Sequence, residues 1–434
     1  MLELGGKGVH LLSSCAWYSR ANAMGRKTYP LGTLALLTAI NFVNYIDRSV
    51  LFAVQPLVQA EFKFSDTKYG LLTTSFFVFY MAVAPFIGMA ADRSSRKKIV
   101  FAGIFLWSGA TLLTAVAHDY STLLIRHTVV AIGESSYATI APSLLADLFP
   151  EERRGRMLSL FYLAIPVGTA MGYILGGSLG QRFGWRTPFY VAALPGFLFA
   201  LVFLLLPEPE RGSSDHLAAT PDRATLRGLA HNGAFWTATL GMAMMTFALG
   251  GISVFLPKFL SQYRGMSLDR ANLLLGLSIG GNGFVATLFG GWLGDRLLRR
   301  SDSAYYLVSA AGMTLGIPAM LVALYVAGPP MMPGIVAAEF LLLLSTGPLN
   351  AAIVNSVSAN IRSSAIGVNL IVIHLLGDAF SPPLMGYISD RSSLPTAFIA
   401  AIVATALSAV ALFYGMRYAP RLGAARLRAV GAET

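Results

Sequence analysis

The most constraining feature of the chain is a series of long segments without a charged residue. Nine such runs are each close to or above the roughly 20 residues that a helix needs to cross a bilayer core. In the whole chain 55% of the residues are hydrophobic and 12% are charged, whereas soluble domains average about 25% charged residues. The runs are continuous rather than alternating, which excludes a membrane β-barrel. They cover residues 69–91, 99–117, 157–181, 187–207, 233–257, 271–294, 303–338, 340–361 and 392–416.

Three weaker segments complete the set of predicted membrane helices. Residues 31–57, 123–148 and 363–388 are apolar apart from a few internal charges. The run 303–338 is long enough for nearly two crossings, and Gly328-Pro329-Pro330 divides it, because glycine and proline interrupt helices. The sequence therefore predicts an all-α membrane protein with twelve transmembrane helices.

A polar stretch separates the twelve predicted helices into two groups of six. It contains the prolines, glycines and serines that are typical of a linker. We therefore expect five parts: a cytoplasmic N-terminal tail (1–30), an N-terminal six-helix bundle (31–207), a cytoplasmic linker (208–232), a C-terminal six-helix bundle (233–417) and a cytoplasmic C-terminal tail (418–434).

The distribution of lysine and arginine predicts the orientation. If the N-terminus is cytoplasmic, 22 of the 32 Lys and Arg residues lie in cytoplasmic segments, 8 on the opposite side and 2 inside helices. Because cytoplasmic loops carry an excess of positive charge, both termini are expected in the cytoplasm of a bacterial-type cell, with the protein in its inner membrane. The net charge of +11 is explained by this topology and by anionic lipid headgroups, so no nucleic-acid partner is expected.

Motifs of soluble enzymes are absent or out of context. The single cysteine, Cys15, excludes an intramolecular disulfide and a cysteine-based metal cluster. Gly176-Gly-Ser178-Leu-Gly180 fits G-x-S-x-G but ends a membrane helix without a strand-to-helix elbow. Gly281-Asn-Gly283 approximates a dinucleotide fingerprint but lies inside predicted helix 8 without a βαβ unit. We therefore expect no catalytic residue, no metal and no cofactor.

A short motif is repeated four times, at the ends of predicted helices 2, 5, 8 and 11. The copies begin at Gly88, Gly177, Gly291 and Gly386 and read G-x-x-small-(D/Q)-R. The unit of construction is therefore three helices, used four times. Because three is odd, successive units are inverted in the membrane, and inverted repeats are typical of secondary transporters.

Two copies of the motif extend further, to Arg96-Lys97 and Arg299-Arg300, and read G-x-x-x-D-R-x-x-R-(K/R). This sequence resembles the loop signature of the major facilitator superfamily, whose twelve-helix 6+6 plan matches over nearly the whole chain. The resemblance implies that charged residues of these loops lock the two halves together on the cytoplasmic side. The residues expected in this lock are Asp92, Arg93, Arg96, Asp147, Asp295 and Arg296.

A closer resemblance is carried by five strings in the N-terminal half. They are Asn44-Tyr-Ile-Asp-Arg48, Gly133-Glu-Ser-Ser-Tyr137, Ile140-Ala-Pro-Ser143, Ala146-Asp-Leu-Phe149 and the segment from Arg156 to Gly168. These strings resemble the Spinster branch of the superfamily. Proteins of this branch move lysophospholipids and sphingoid phosphates, so the resemblance implies a lipid substrate with an anionic headgroup.

Seven ionisable residues lie within the predicted membrane helices. Each costs roughly a few kcal/mol at the centre of a membrane, so such residues usually line a pathway or form ion pairs. Burial disfavours an ionised Glu134 carboxylate and a nearby arginine, either Arg48 or Arg126, favours it, which is the balance that a proton carrier needs. A permanent structural salt bridge is the alternative and predicts no coupling. The seven are Asp47, Arg48, Arg126, Glu134, Glu339, His374 and Asp378.

Helical geometry connects these residues with roles. Arg48 shares one face of predicted helix 1 with Asn41 and Tyr45, and Asp47 lies about 100° away with Asn44. Glu134 lies near the middle of predicted helix 4, at the depth where inverted-repeat transporters place their sites. We expect Glu134 and Asp47 to couple protons. The residues expected to bind substrate are Arg48, Arg126, Asn41, Tyr45, Asn44 and Asp378.

Two further patterns bear on packing and on the acyl chain. Predicted helix 5 has glycine at every fourth position from Gly168 to Gly180, which lets a neighbouring helix approach closely. Predicted helices 7 and 8 offer flexible and aromatic side chains for an acyl chain, although ordinary core or lipid-facing positions explain them equally. These residues are Met242, Met244, Met245, Phe247, Phe255, Phe284 and Phe289.

Taken together, these features favour a proton-coupled carrier of an anionic amphipathic lipid. We expect it to work by alternating access, as a monomer, with protons and membrane lipids as its other partners. A carrier of a small organic anion or a drug is the alternative within transport. A membrane-embedded lipid enzyme is the alternative from another class.

Overall fold

The computed structural model of the chain describes residues 9–149, 151–209, 228–357 and 361–419. Within these ranges the regular elements are all helices, as predicted. Eleven of these helices are long and apolar enough to cross a membrane. They are α1 (Tyr29–Ala53), α2 (Asp66–Ala91), α3 (Arg96–Thr114), α5 (Met157–Phe183), α6 (Thr187–Leu205), α7 (Gly233–Gln262), α8 (Leu268–Leu298), α9 (Ala304–Tyr325), α10 (Met331–Asn355), α11 (Ala365–Arg391) and α12 (Leu394–Tyr418).

The twelfth helix, α4 (Tyr120–Leu148), is long enough to span a bilayer but less apolar than the others. It has 29 residues, which corresponds to about 43 Å at 1.5 Å per residue. Asp119 caps its first turn by accepting a hydrogen bond from the Thr122 N–H at 2.8 Å. Its lower apolarity comes from serine, threonine, tyrosine and histidine residues together with the charged residues Arg126, Glu134 and Asp147.

The helix boundaries agree with the predicted interruptions. α9 ends at Tyr325 and α10 begins at Met331, so Gly328-Pro329-Pro330 lies in the turn between them. Gly328 has φ +88° there, a value that favours glycine. Residues 210–227 of the predicted linker (208–232) and residues 420–434 of the predicted C-terminal tail (418–434) lie outside the described residues.

The helices pack as two groups of six, and the two groups contact each other mainly through two pairs of helices. α1–α6 form the N-terminal half, in which α1 packs on α5 and α3 packs on α4 and α6. α7–α12 form the C-terminal half, in which α7 packs on α12 and α9 packs on α10 and α12. The main contacts between the halves are α2 with α11 and α5 with α8. These four helices are the ones that end in the repeated G-x-x-small-(D/Q)-R motif.

The glycine stripe of α5 lies against α1. A Cβ atom built on Gly172 would lie 2.6 Å from the Ser49 Cβ, and one on Gly168 would lie 2.6 Å from the Phe42 carbonyl oxygen. The backbones of α1 and α5 are therefore in direct contact, as small residues permit in membrane proteins. This contact fixes the position of Arg48, which precedes Ser49 on α1.

Two membrane helices contain a π-helical turn in their middle. One turn covers Ser278–Asn282 in α8 and the other covers His374–Asp378 in α11. Such turns widen a helix locally and occur frequently at functional sites. Both turns lie near the boundary between the halves, because α8 and α11 are the helices of the C-terminal half that meet α5 and α2.

The two halves are tied together at the face that carries the loop between α1 and α2, here called the α1–α2 face. Asp390 at the end of α11 accepts hydrogen bonds from the backbone N–H groups of Asp66 (2.8 Å) and Thr67 (2.9 Å), and so caps α2 from the opposite half. Asp66 pairs with Lys258 of α7 and accepts a 2.6 Å hydrogen bond from the Ser389 hydroxyl. Hydrogen bonds and ion pairs between described residues of the two halves lie at this face or at mid-depth.

We predict that removing the cap opens the α1–α2 face. An N-terminal cap contributes about 1 kcal/mol, so Asp390→Ala should raise the ratio of open to closed molecules at this face about fivefold. The measurement is the distance between spin labels at Lys63 and Ser392, in protein whose single native cysteine has been replaced. The control is Glu61→Gln, which breaks an ion pair with Arg186 inside the N-terminal half. An unchanged distance distribution in Asp390→Ala would contradict the prediction.

Candidate functional site

A cavity of about 170 Å³ lies between the two halves in the interior of the membrane region. α1, α2 and α5 supply one wall, and α7 and α11 supply the other. Arg48 faces Asp378 across this space, together with Tyr45, Tyr173 and Ser253. The cavity therefore brings together charged residues that lie far apart in the sequence.

Arg48 and Glu134 form an ion pair beside this cavity. The Arg48 Nη2 donates a hydrogen bond of 2.6 Å to the Glu134 Oε2. The Glu134 side chain is 1% exposed and that of Arg48 is 15% exposed, so the arginine is the member of the pair that reaches the open space. Asn44 lies beside the same carboxylate. A ligand in the cavity thus meets the guanidinium first and the carboxylate only behind it.

Four aromatic rings surround the Arg48 guanidinium. Its Cζ lies 4.9 Å from the ring centre of Tyr45, 4.6 Å from that of Phe76, 5.8 Å from that of Phe77 and 5.7 Å from that of Tyr80. Such faces attract a cation and hold its orientation. The three rings of α2 were not among the residues predicted for the site from the sequence. The available signal was the spacing of four between Phe76 and Tyr80, which places both on one face of a helix.

Asp47 lies in a separate buried environment. Its side chain is 4% exposed, and its Oδ2 accepts a hydrogen bond of 3.3 Å from the Thr111 hydroxyl of α3. Its Oδ1 has no hydrogen-bond partner among the described protein atoms. Asp47 is not among the residues that line the central cavity. The predicted division of α1 into two polar stripes thus corresponds to two environments, one on the cavity and one against α3.

Two predicted substrate-binding residues lie away from the ion pair. Arg126 donates a hydrogen bond to the Leu113 carbonyl oxygen at the end of α3, about 12 Å along α4 from Glu134 at eight residues' separation. Asn41 donates to the Phe161 carbonyl oxygen at 3.2 Å and is 5% exposed. Of the two arginines, Arg48 and Arg126, it is Arg48 that forms the ion pair with Glu134.

Asp378 belongs to a second polar pair on the opposite wall. It ends the π-helical turn of α11, and its Oδ2 lies 2.8 Å from the His374 Nδ1. The His374 ring stacks on Phe77 of α2 with 5.3 Å between ring centres. Phe77 also lies over Arg48, so one aromatic side chain separates the Arg48–Glu134 pair from the His374–Asp378 pair.

A second, mainly apolar space of about 80 Å³ lies in the C-terminal half, among α7, α8, α9 and α10. We call it the apolar chamber. Leu249, Leu275, Met320 and Leu342 contribute to its walls, and it shares Tyr173 and Ser253 with the central cavity. Glu339 lies at its edge and accepts a hydrogen bond from the Ser278 hydroxyl of the α8 π-helical turn. Glu339 therefore points inward, toward the chamber and α8.

The methionines and phenylalanines predicted for an acyl chain do not line the chamber. Phe284 and Phe289 are 43% and 41% exposed on the outer surface, where lipid surrounds the protein. Met242 and Met245 are buried in the core of the C-terminal half. Met244 and Phe247 line a separate apolar pocket among α7, α11 and α12. The acyl-chain role of these residues therefore stays a prediction, because helical periodicity alone does not distinguish a wall of a cavity from a lipid-facing surface.

The residues predicted to lock the halves make their described contacts within each half. Arg96 donates a 2.5 Å hydrogen bond to Asp147 in the N-terminal half, and its Nε lies 3.6 Å from the Glu208 Oε1 at the end of the same half, where the predicted linker starts. Asp295 accepts a 2.7 Å hydrogen bond from the Tyr305 hydroxyl, and the Arg296 Cζ lies 5.4 Å from the Trp292 ring centre, all in the C-terminal half. The side chain of Asp92 lies outside the described residues, and Arg93 is exposed. An Arg96–Asp147 pair therefore joins α3 to α4 and does not bridge the halves.

Glu208 completes this cluster at the start of the predicted linker. It accepts hydrogen bonds from the Ser95 hydroxyl (2.6 Å) and the Arg96 N–H (2.9 Å), and so caps α3. Partial burial opposes ionisation, but these hydrogen bonds outweigh it and lower the pKa of Glu208. The linker therefore begins with a carboxylate that is ionised at neutral pH and fixed to the loop between α2 and α3.

Comparison with known proteins identifies the family. A model of the Major Facilitator Superfamily matches residues 37–377. The chain is 35% identical over 388 residues to protein spinster homolog 1 of Bos taurus, covering 82% of this chain and 72% of that protein. It is 32% identical over 405 residues to the sphingosine-1-phosphate transporter SPNS2 of Xenopus tropicalis, covering 88% of this chain and 78% of that protein.

The fold is also similar to that of a solved transporter. A bacterial homolog of the human lysosomal transporter Spinster, in an inward-facing and unoccupied conformation, superposes with a TM-score of 0.83 at 25% identity, over 91% of this chain and 98% of that one. The family match, the relatives and the twelve-helix fold agree with one another. The chain therefore belongs to the Spinster-type transporters of the major facilitator superfamily and is a multi-pass membrane transporter rather than an enzyme.

Proposed function

We propose that this transporter carries anionic amphipathic lipids, either lysophospholipids or sphingoid phosphates, in exchange for or together with protons. The observation that carries the proposal is the Arg48–Glu134 pair beside the central cavity, with Arg48 on the cavity side. The name of the Xenopus tropicalis relative, a sphingosine-1-phosphate transporter, supports the same substrate class.

Arg48 is the proposed headgroup ligand. A guanidinium offers phosphate two parallel hydrogen bonds, which a lysine ammonium does not reproduce. The four aromatic rings hold Arg48 in place without using its hydrogen-bond donors. A phosphate that enters the cavity therefore meets a pre-oriented cation whose one described partner in an ion pair is Glu134. Tyr45, Asn44, Asp378, Asn41 and Arg126 remain proposed contributors, the first three because they lie close to this site.

Glu134 is the proposed proton carrier. While it is ionised it competes with the substrate phosphate for Arg48, since both are anions and the guanidinium is shared. Protonation of Glu134 releases Arg48, and arrival of phosphate favours protonation, which links the two events through one cation. Asp47 is the second proposed proton site, because its buried carboxylate lacks an arginine partner among the described residues.

Alternating access is proposed to occur by rocking of the halves, residues 31–207 against residues 233–417. The excess of Lys and Arg assigns the loop between α2 and α3, and both termini, to the cytoplasm of a bacterial-type inner membrane. With this orientation the closed α1–α2 face is external and the described state is inward-facing. The lock residues Asp92, Arg93, Arg96, Asp147, Asp295 and Arg296 are then proposed to act in the opposite, outward-facing state. A monomer suffices for this cycle.

A carrier of small organic anions is the second candidate, because the central cavity of about 170 Å³ by itself is small for a lipid. The test uses purified protein in liposomes with an imposed pH gradient. We expect uptake of lysophosphatidic acid that responds to the gradient, and little uptake of glycerol 3-phosphate. Gradient-driven uptake of glycerol 3-phosphate without lysophosphatidic acid would favour the second candidate. Liposomes with the Arg48→Ala variant serve as the control.

A further inference from the structure

The backbone carbonyl of Ser253 is an acceptor that the fold has freed from its helix. In α7 this carbonyl would normally accept a hydrogen bond from the residue four positions later, which is Pro257. Proline has no N–H, so this bond is missing. The Tyr173 hydroxyl of α5 occupies the free acceptor, at 2.7 Å from the Ser253 oxygen. One neutral hydrogen bond between the two halves thus replaces a missing intrahelical one.

This hydrogen bond lies at the border between the two spaces described above. Tyr173 and Ser253 both line the central cavity, where Arg48 lies, and both line the apolar chamber. Tyr173 is 1% exposed. Its ring is therefore the partition between a charged compartment and an apolar one.

The chamber has the chemistry of a hydrocarbon site. All but three of its lining residues are leucine, isoleucine, alanine or methionine; the exceptions are Tyr173, Ser253 and Glu339. Cavities with apolar walls stay dry and accept apolar groups. Each methylene that leaves water for such a site gains about 0.8 kcal/mol, or about fourfold in affinity. An amphipath whose phosphate contacts Arg48 can reach this site past Tyr173, which borders both spaces.

We propose that the Ser253 carbonyl binds a hydrogen-bond donor of the substrate, at the junction of headgroup and chain, when Tyr173 moves aside and the chain enters the apolar chamber. The inference rests on the proposed function and makes it more specific. A carbonyl in an apolar setting must keep a donor, because leaving it unpaired costs more than the bond itself contributes. The substrate must therefore carry a donor close to its phosphate. Lysophospholipids have such a hydroxyl, sphingoid phosphates have a hydroxyl and an ammonium, and diacyl phospholipids of the phosphatidic acid type have neither.

The first test compares lysophosphatidic acid with its analogue that lacks the free hydroxyl of the glycerol. In the wild-type protein we expect the analogue to bind about 5- to 100-fold more weakly, since the carbonyl is left without a donor. Pro257→Ala restores the backbone N–H, so the helix itself occupies the carbonyl. The ratio between the two lipids should then fall to about one or two. The control is Pro195→Ala in α6, a helix proline that lines neither space.

Tyr173→Phe keeps the ring and removes the competing hydroxyl. We expect it to raise the affinity for lysophosphatidic acid about 2- to 10-fold and to preserve the preference for the free hydroxyl. A weaker affinity for both lipids would show that Tyr173 contacts the headgroup instead and would overturn the inference. Melting temperatures of all variants report on folding. Sphingosine 1-phosphate and its analogue without the amine distinguish a hydroxyl from an ammonium as the donor.

The chamber itself is tested by filling it. Ile335→Trp places a large side chain inside the chamber, whereas Val336→Trp, on the same helix, faces lipid at 40% exposure. In the wild type and in Val336→Trp, affinity should rise with chain length. In Ile335→Trp this rise should stop at a shorter chain, with a loss of about fourfold per excluded methylene. If lipid binding depends on Arg48 but neither Pro257→Ala nor Ile335→Trp changes selectivity, this inference fails and the proposed function stands. If no lipid binds in an Arg48-dependent way, the proposed function fails first.

Discussion

Arg48→Lys is expected to weaken binding of lysophosphatidic acid by about 10- to 100-fold. Hydrogen bonds to a charged partner contribute roughly 1.5–3 kcal/mol, and lysine keeps the charge while losing the planar pair of donors. The lysine side chain is also shorter than that of arginine, so its ammonium lies differently against the four rings that orient Arg48. The measurement is equilibrium binding of lysophosphatidic acid to purified protein, with an uncharged detergent of the same chain length as a second ligand. The uncharged ligand should lose little affinity.

Arg126→Lys is the comparison variant for this prediction, because Arg126 is also proposed to contribute to substrate binding but lies away from the Arg48–Glu134 pair. Arg126 is also an arginine inside a membrane helix, but it donates to the Leu113 carbonyl oxygen and not to Glu134. We expect it to leave lysophosphatidic acid binding within about twofold of the wild type, on the scale of a peripheral contact. An equal loss for charged and uncharged ligands in Arg48→Lys would reassign Arg48 to a structural pair with Glu134.

Glu134→Gln is expected to remove most of the pH dependence of lipid binding while binding itself survives. In the wild type, phosphate must displace an ionised carboxylate from Arg48 at high pH but not at low pH. Affinity should therefore fall as the pH rises through the range in which Glu134 ionises. Glutamine is never ionised, so at high pH the variant should bind about 10- to 100-fold more tightly than the wild type, the scale of one charge-assisted hydrogen bond. The same lipid is used throughout, so titration of its phosphate is common to all proteins.

Asp47→Asn separates the two proposed proton sites. Asp47 contacts Thr111 and lies away from the cavity lining, so this variant should keep the wild-type midpoint of binding against pH. If Glu134→Gln kept the wild-type midpoint and Asp47→Asn lost it, the proton site would lie on α1 instead of α4. Because breaking a buried ion pair lowers stability, the melting temperature of Glu134→Gln is measured at each pH.

The twelve helices could be predicted because the bilayer imposes one length and one polarity on each of them. α4 is the instructive case, since its charges weaken the hydropathy signal and still its length and its Asp119 cap mark a complete helix. Arg48 and Glu134 could be predicted individually, since a charge inside a membrane helix needs a reason. Their pairing could not, because Arg126 was an equal alternative until α1 and α4 were placed together.

The aromatic rings and the apolar chamber depend on tertiary structure. The rotation of α2 that directs Phe76 and Tyr80 toward Arg48 is set by packing on α4 and α11, which no local pattern specifies. The chamber is built from leucine, isoleucine and alanine, the same residues that face lipid elsewhere. Only one partner of the hydrogen bond between Tyr173 and Ser253 could be predicted from the sequence. Pro257 predicts an unpaired carbonyl four residues earlier, but the donor comes from another helix.

The two sides of the contact between α11 and α2 differ in how easily a mutation removes them. Asp390 supplies the acceptor through a side chain, whereas Asp66 and Thr67 supply backbone N–H groups that nearly every amino acid retains. Substitutions at positions 66 and 67 therefore leave these backbone donors intact, whereas one substitution at position 390 removes the acceptor. Proline is the exception on the donor side, and the first turn of a helix tolerates it. A selection for variants that open at the α1–α2 face should thus recover many different residues at position 390. It should also recover many at position 66, whose carboxylate contacts Lys258 and Ser389, but proline in particular at position 67.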